Sequence, residues 1–568
     1  MKRCPECRRD YFDETLLYCL DDGTVLLEGP ASIDEPATAL IQTTDASGEA
    51  GTRAQIHMTH QTAVLPTGPG DVVPMSRTLD KRLLVAPFLL AIITLGGFFG
   101  YRYFASTNQI GSIAVMPFVN DSGNADVEYL SDGMTETLIN SLSQVPNLSV
   151  KARSSVFRYK GKEIDLKKVA AELGVQAILT GRMVQREGQL TLNVELIDGR
   201  TENTIWGNKY EAKSSDLVSL QSEVARDISS KLKSKLSGAD AAKVEKTFTS
   251  NPEAYQLYLK GRFAWNQRTQ ASLRQAAEFY KQATEKDPNY ALAYSGLAET
   301  YSLFSSYSVA LSKDSMPQAK AAAERALALD SSLAAPHAAL EMYFSYHEFD
   351  RVSGEKEIRR AIELDPKYAT AHQWLGSDVL TPTKRFEESL ASLRRAEALD
   401  PLSPIIGVNV ADVFLYSGRP DEAIAQYKRV LSLDPNFAVA YFGLSQAHWS
   451  KGQNADAIAT IRKYIELSGD PSGGGQLGFF LARLGQREEA LKVVAGLREE
   501  SARRYVQSFA FALVHIGLGE KEKAFEWLEK EIDDRGQPAS FFSVTPELDE
   551  LRGEPRFKEM LKRLNLPE

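Results

Sequence analysis

The chain has 568 residues, 43% hydrophobic and 25% charged, a balance typical of folded protein with apolar material for several cores. Lys and Arg number 66 against 75 Asp and Glu, and the resulting formal charge of -9 argues against a generic polyanion coat. Only three cysteines occur, Cys4, Cys7 and Cys19, which excludes a disulfide-stapled fold and points to a local role in one short segment. No histidine falls between positions 61 and 336 and no HExxH pattern occurs, so histidine acid–base chemistry is missing from the middle of the chain.

The opening reads MKRCPECRRDYFDETLLYCLDDGTVL. Cys4 and Cys7 form a CxxC, and Cys19 with Asp22 makes a second half in which a carboxylate replaces a fourth cysteine. Four such donors suit tetrahedral zinc, and a metal staple is sensible where so few residues cannot build a core. A metal-free knuckle and a redox CxxC are the alternatives, the latter lacking a surrounding βαβ pattern. Residues 1–28 resemble the zinc-ribbon openings of some bacterial membrane-bound regulators, which implies a structural zinc on these four residues. Residues 29–82, thin in large apolar side chains, read as a flexible linker.

Leu83 to Tyr101 reads LLVAPFLLAIITLGGFFGY. At 1.5 Å per residue, roughly 19 residues reach about 28 Å, close to the hydrocarbon thickness of a bilayer, so a single transmembrane helix is expected over 83–101. Arg77, Lys81 and Arg82 precede the run, whereas Arg102 alone follows closely and the next cation is Lys151. That asymmetry places the N-terminus in the cytoplasm and the later domains on the outer side of the cell (inner) membrane.

Residues 110–236 read as a small α+β domain of order β-α-β-α-β-β-β-α. Strands are expected over Ser112–Asn120, Leu148–Tyr159, Ala177–Gln185, Leu190–Leu196 and Ile205–Tyr210, with Gly188 and Gly199 in the hairpin turns. Helices are expected after Tyr129, over Leu166–Leu173 and over Leu217–Leu236. Ser131 and Asp132 read as a helix cap and a first-turn charge. The strings SIAVMPFVN, EYLSDGMTETLINSLS, ELGVQAILTGRMVQREGQLTLNVELID and IWGNKYE resemble the TolB-like, FlgO/CsgG-related domain of bacterial envelope proteins, which implies a binding or assembly role without catalysis.

Beyond Asn251 the chain repeats itself. Asp287, Asp330, Asp365, Asp400, Asp434 and Asp470, most followed by proline, recur about every 34–36 residues with one interval near 43, the tetratricopeptide period. Alanines at close-approach positions (Ala276, Ala283, Ala423) and aromatic or leucine residues between pairs (Tyr280, Tyr294, Leu297, Tyr427, Tyr441) complete the resemblance to tetratricopeptide repeats (TPRs), with about eight helix pairs over 251–533. Gly473, Gly474 and Gly475 read as a loop, and 534–568 as a capping segment with a terminal helix from Pro546 to Leu566.

The expected fold is thus mainly α, a TPR helical solenoid with a small α+β domain, one transmembrane helix and a short zinc ribbon. The repeat register puts Glu299, Gln373, Asp412, Phe442, Gln446 and Trp449 on the concave face, where they are candidates for binding a peptide. Walker, kinase, GxSxG and zincin motifs are missing, so a non-catalytic membrane scaffold for proteins or peptides is the expected function. The alternatives are a membrane-bound signalling or transcription regulator acting through the ribbon, and a cryptic enzyme in the α/β module. Nucleic acid is an unfavoured partner, and an oligomer is compatible with the sequence.

Overall fold

The computed structural model describes residues 110–124, 127–213, 216–232, 248–307 and 309–568, together with three two-residue strands nearer the N-terminus. The chain divides into two compact units, Met1–Leu90 and Ala91–Glu568. In the first, β1 (Lys2–Arg3) pairs antiparallel with both β2 (Asp10–Tyr11) and β3 (Leu27–Glu28). Cys4 and Cys7 fall in sequence between β1 and β2. The four proposed zinc ligands and the expected span 83–101 lie outside the described residues. Among the described residues, no helix is long and apolar enough to cross a membrane.

The second unit opens with the α/β module. Strands β4 (Ser112–Val115), β5 (Val119–Asn120), β6 (Ser149–Val150), β7 (Ala177–Arg186), β8 (Gln189–Asp198) and β9 (Thr204–Lys213) form one sheet of order β6-β4-β7-β8-β9, with β5 also on β7. β4 is parallel to both its neighbours, whereas β7, β8 and β9 form an antiparallel meander. The β7–β8 turn puts Glu187 and Gly188 at φ +47° and +78°, the left-handed pair that a two-residue hairpin demands. Alternate β8 residues Leu190, Leu192, Val194 and Leu196 point into the core, under helices α1 (Glu128–Ser143) and α4 (Leu217–Lys231).

Two local expectations are corrected. Only Ser149–Val150 of the expected Leu148–Tyr159 strand is extended; the chain then turns into a short helix, α2 (Arg153–Phe157). The helical turn buries Val156 in the core while Ser154 and Ser155 reach a carboxylate on the repeats. Ser131 and Asp132 do not sit at the start of α1, because the helix begins at Glu128. Ser131 donates back to the Glu128 carbonyl at 2.9 Å, and Asp132 pairs with Lys160 at 2.6 Å. Helix α3 (Leu166–Leu173) is capped by Asp165 and ends at Gly174, φ +63°.

Helix pairs follow without interruption by strands: α5 (Pro252–Asn266) with α6 (Gln270–Lys286), α7 (Ala291–Leu303) with α8 (Ser312–Leu329), α9 (Ala335–Met342) with α10 (Arg351–Leu364), and α11 (Ala369–Trp374) with α12 (Phe386–Leu399). Then come α13 (Pro404–Tyr416) with α14 (Pro420–Leu433), α15 (Ala438–Ser450) with α16 (Asn454–Ser468), α17 (Ser472–Arg483) with α18 (Arg487–Ser501), and α19 (Ser508–Gly517) with α20 (Lys521–Asp533). Helices α9 and α11 each continue as a wide π turn, Tyr343–Glu348 and Leu375–Leu380.

The recurring aspartates have a local job. Asp287, Asp365, Asp434 and Asp470 accept the backbone N–H two residues on, at 2.9–3.0 Å, closing the corner between pairs. Aromatic residues of one pair press against glycine in the next. A Cβ on Gly296 would stand 2.6 Å from a Tyr280 ring carbon, and one on Gly473 2.6 Å from Tyr464; Gly443 faces Tyr427 in the same manner.

The glycine run is therefore not a loop. Ser472–Arg483 is helical, and its glycines let it lie against α19. A Cβ on Gly475 would sit 2.6 Å from the Cα and carbonyl oxygen of Ala510, backbone that cannot rotate away. Gly475→Ala is expected to cost about 1–3 kcal/mol through overpacking, outweighing alanine's better helix propensity, and urea unfolding at constant slope reads that loss.

Candidate functional site

Two assemblies gather buried polar chemistry. The first joins the α/β module to the repeats. Gly133 on α1 lets Leu259 of α5 approach so closely that a Cβ would meet it at 2.8 Å. One turn further, Glu136 is 6% exposed and fully engaged. One oxygen accepts the Nε and Nη2 hydrogens of Arg262 at 2.8 and 2.5 Å; the other takes Asn266 at 2.8 Å and lies 3.1 Å from Arg153 Nε. Arg262 reaches Glu299 at 2.9 Å with its remaining arm. Burial by itself would raise Glu136, but the charges of Arg262 and Arg153 hold its carboxyl below the usual range. Glu299, with a smaller share of that charge, is raised by its burial.

The module is pinned again at two corners. Asp400 accepts the Ser154 and Ser155 hydroxyls, and Lys367 donates to the carbonyls of Ser143, Val145 and Leu148 that end α1 and its following turn. The corner residues that mark the repeat period thus also dock the module.

The second assembly is the concave groove. The residues that touch the C-terminal segment come from α8, α10, α15, α17 and α19, from the π turn after α9 and from the loop after α11. The C-terminal segment lies along it. After α20, Gln537–Phe541 and Pro546–Leu551 form two 3-10 turns and Pro555–Arg563 a final helix, α21, in place of one helix from Pro546 to Leu566. Pro546 and Pro555 each open a turn and forbid a continuous ladder.

Contacts span the array. Ser306 donates to Gln537 at 2.9 Å, Arg351 to the Ser540 carbonyl at 3.1 Å, and Ser543 to the Pro382 carbonyl at 2.6 Å. Gln446 and Gln476 both donate to one oxygen of Glu547, at 2.9 and 2.7 Å, and Arg483 pairs with Glu550. Phe541 packs on Met316, Met342, Tyr343 and Tyr346, while Phe542 is sealed between Phe509 and Phe557.

Of the six residues expected on the concave face, Gln446 touches this segment directly. Glu299 is drawn into the joint with Arg262. Gln373 donates to Asn409 at 2.8 Å, and Asn409 and Tyr427 both donate to Asp412, the tyrosine at 2.5 Å. Phe442 packs edge-on against Tyr464, and Trp449 stacks on Phe480 at 4.5 Å between centroids. Cys4, Cys7, Cys19 and Asp22 lie outside the described residues, and no other group of metal-binding side chains gathers among the described ones. Sequence periodicity did not single out Arg262, Glu136, Lys367, Arg351, Gln476 or Glu547. A cation amid the apolar spacing of α5 was the one available signal.

Residues 410–471 match the tetratricopeptide repeat family model. Over those residues the helical body is similar to tetratricopeptide repeats. Residues 108–227 match the second domain of HilA/YgeH-like transcriptional regulators, so the family model found for the α/β module is not the TolB-like one that its strings resemble. A Rhizobium meliloti (strain 1021) protein named "Putative adenylate cyclase 3" is 34% identical over 236 residues, 41% of this chain. The match spans 40% of that relative's length. Among solved structures, pilF of Pseudomonas aeruginosa is 22% identical with a TM-score of 0.30, covering 38% of this chain and 92% of that one. YrrB, a TPR protein with an unusual peptide-binding site, is 23% identical with a TM-score of 0.24, covering 34% and 94%. The type IV pilus biogenesis factor PilW is 19% identical with a TM-score of 0.28, covering 46% and 97%.

The helical body carries buried carboxylates whose raised pKa values are expected to make its stability depend on pH. Burial pushes Glu531 up to about 7, and Asp378 and Asp412 each to about 6. Their folded-state values lie above the unfolded ones, so the stability they permit is complete below about pH 4 and is lost as pH rises through 6 and 7. Thermal unfolding is expected at a lower temperature at pH 8 than at pH 5. Glu531→Gln should flatten that dependence by on the order of 3 kcal/mol, the worth of its own shift.

Arg262→Ala leaves Glu136 and Glu299 buried without their shared cation and is expected to cost about 3–5 kcal/mol. In urea the α/β module should then melt before the repeats, read as two transitions where the unaltered chain gives one.

Proposed function

We propose that the chain is a non-catalytic scaffold that binds proteins or peptides through its TPR groove, with the α/β module as a second contact surface. The observation that carries this reading is the groove itself, whose helices already hold a stretch of chain folded as two 3-10 turns by side-chain-specific contacts such as Gln446 and Gln476 on Glu547. The buried ionic groups described above are committed to partners within the fold, and nothing in their arrangement presents a nucleophile and base to a shared open site.

In the same reading the apolar run Leu83–Tyr101 anchors the chain once in the cell membrane, with the N-terminus cytoplasmic and the repeats outside. Cys4, Cys7, Cys19 and Asp22 hold a structural zinc in the cytoplasmic head, whose pairing of β1 with β2 across the Cys4–Cys7 stretch suits a small metal knuckle. A second reading has specific support: the match of residues 108–227 to a domain of transcriptional regulators favours a membrane-bound regulator that passes occupancy of the groove to the ribbon.

Chemical crosslinking in intact cells, followed by mass spectrometry of the full-length chain, tests the proposal. Envelope proteins joined to residues 251–533 are the expected result, together with cleavage of that region by protease added to spheroplasts. A body protected from external protease, crosslinked to cytoplasmic proteins, contradicts the placement. A salt-sensitive DNA mobility shift by the purified chain supports the regulator in its place.

A further inference from the structure

The segment 537–551 is seated like a ligand. Its Ala539, Phe542, Leu548 and Leu551 are wholly buried in the hydrophobic cluster shared with α16, α17, α19 and α20. Its two 3-10 turns are held by side chains that bond individual groups of the repeats: Ser540 and Ser543 donate to the Ser345 and Pro382 carbonyls, and Glu547 accepts from two glutamine side chains. The π turn of α9 stands on this stretch, where Tyr346 accepts from Gln537 and the Ser345 carbonyl from Ser540, and the π turn of α11 supports it through the Asp378 carbonyl, which accepts from Arg351.

Charge is complementary along the seam. From 534 to 551 the segment carries Asp534, Glu547, Asp549 and Glu550 against the single cation Arg535. Within 537–551 Arg483 pairs with Glu550 and Arg351 donates to the Ser540 carbonyl, while Lys313 holds Asp534, just before the segment, at 2.7 Å. Yet the fit is incomplete. Glu547 Oε2, Gln476 Oε1 and Arg351 Nε are all buried without a hydrogen-bond partner among the described residues. Unmet buried polar atoms weigh against the seated state and offset part of what burial of its apolar side chains contributes.

We propose that residues 537–551 are a replaceable internal occupant of the groove, and that the external partner is an acidic peptide able to adopt 3-10 turns, bearing paired aromatic residues followed by a glutamate. The inference rests on the scaffold reading and specifies its partner. The aromatic pair would replace Phe541 and Phe542 over Met316, Met342 and Phe509, and the glutamate would replace Glu547 between Gln446 and Gln476. Because the internal copy is tethered, it competes at high effective concentration, so the resting protein binds its partner weakly.

A fluorescent synthetic copy of residues 537–551 is the probe, titrated onto the full-length chain in lipid nanodiscs. Glu547→Ala, which loosens the internal copy, should tighten probe binding by about tenfold or more over the unaltered chain. Adding Gln446→Leu and Gln476→Leu to that variant should abolish the gain, as should a probe with its glutamate changed to alanine. Hydrogen exchange on the unaltered chain supplies a readout independent of any variant's folding. Amides of 537–551 should exchange faster than those of α15 and α17, and saturating probe should accelerate them further. Exchange of the segment together with α15 and α17 in one cooperative step, unchanged by probe, overturns the proposal. So does capture of partners on the repeats at sites outside the groove, an outcome that leaves the scaffold itself standing.

Discussion

A stack of helix pairs touches only its neighbours, so nothing within one repeat fixes the curvature of the whole. In this chain the curvature is fixed by ties that cross the array. Lys313 reaches Asp534, Arg351 reaches Ser540, Lys384 reaches the carbonyl of Glu568, and Asn565 reaches Phe349. These contacts join residues roughly 180–220 positions apart, and each lies on or beside the C-terminal segment. The groove has a definite shape because the chain's own end is laid in it.

The α/β module acts on the opposite side of the same problem. Its α1 helix extends the hydrophobic core onto α5 and α6, and Glu136 fastens it by drawing in Arg262, Asn266 and Arg153. Two buried cations on one carboxylate are tolerable because Glu299 and the aromatic faces of Phe157 and Trp265 share the charge. The first repeat is thereby covered by a domain and the last by the terminal helix, so that neither end of the stack is left apolar and open.

The repeat fold was legible because its signals are local. A proline after an aspartate, an alanine at a close approach and an aromatic at a fixed spacing each act within one pair, and their recurrence is visible in a single sequence. The glycines at 473–475 misled because the same residue that breaks a helix also permits two helices to touch; only the position of Ala510 decides between the two. Leu148–Tyr159 misled because β-branched and aromatic residues favour a strand, while Asp400, far away in sequence, favours a turn that delivers Ser154 and Ser155. The concave face was only partly legible. Helical register locates Gln446 and Asp412, but it cannot show that Glu547 returns from about a hundred residues downstream to meet the first, or that Tyr427 already occupies the second.

One distance measurement bears most directly on this account. Spin labels at Val439 and Asp549, both exposed, in a full-length chain with Cys4, Cys7 and Cys19 changed to serine, report by pulsed electron resonance whether the C-terminal segment rests against α15. A single short, narrow distance distribution is the predicted result in the absence of any partner. A long, broad distribution contradicts the account, because the groove then has no internal occupant and its shape no source.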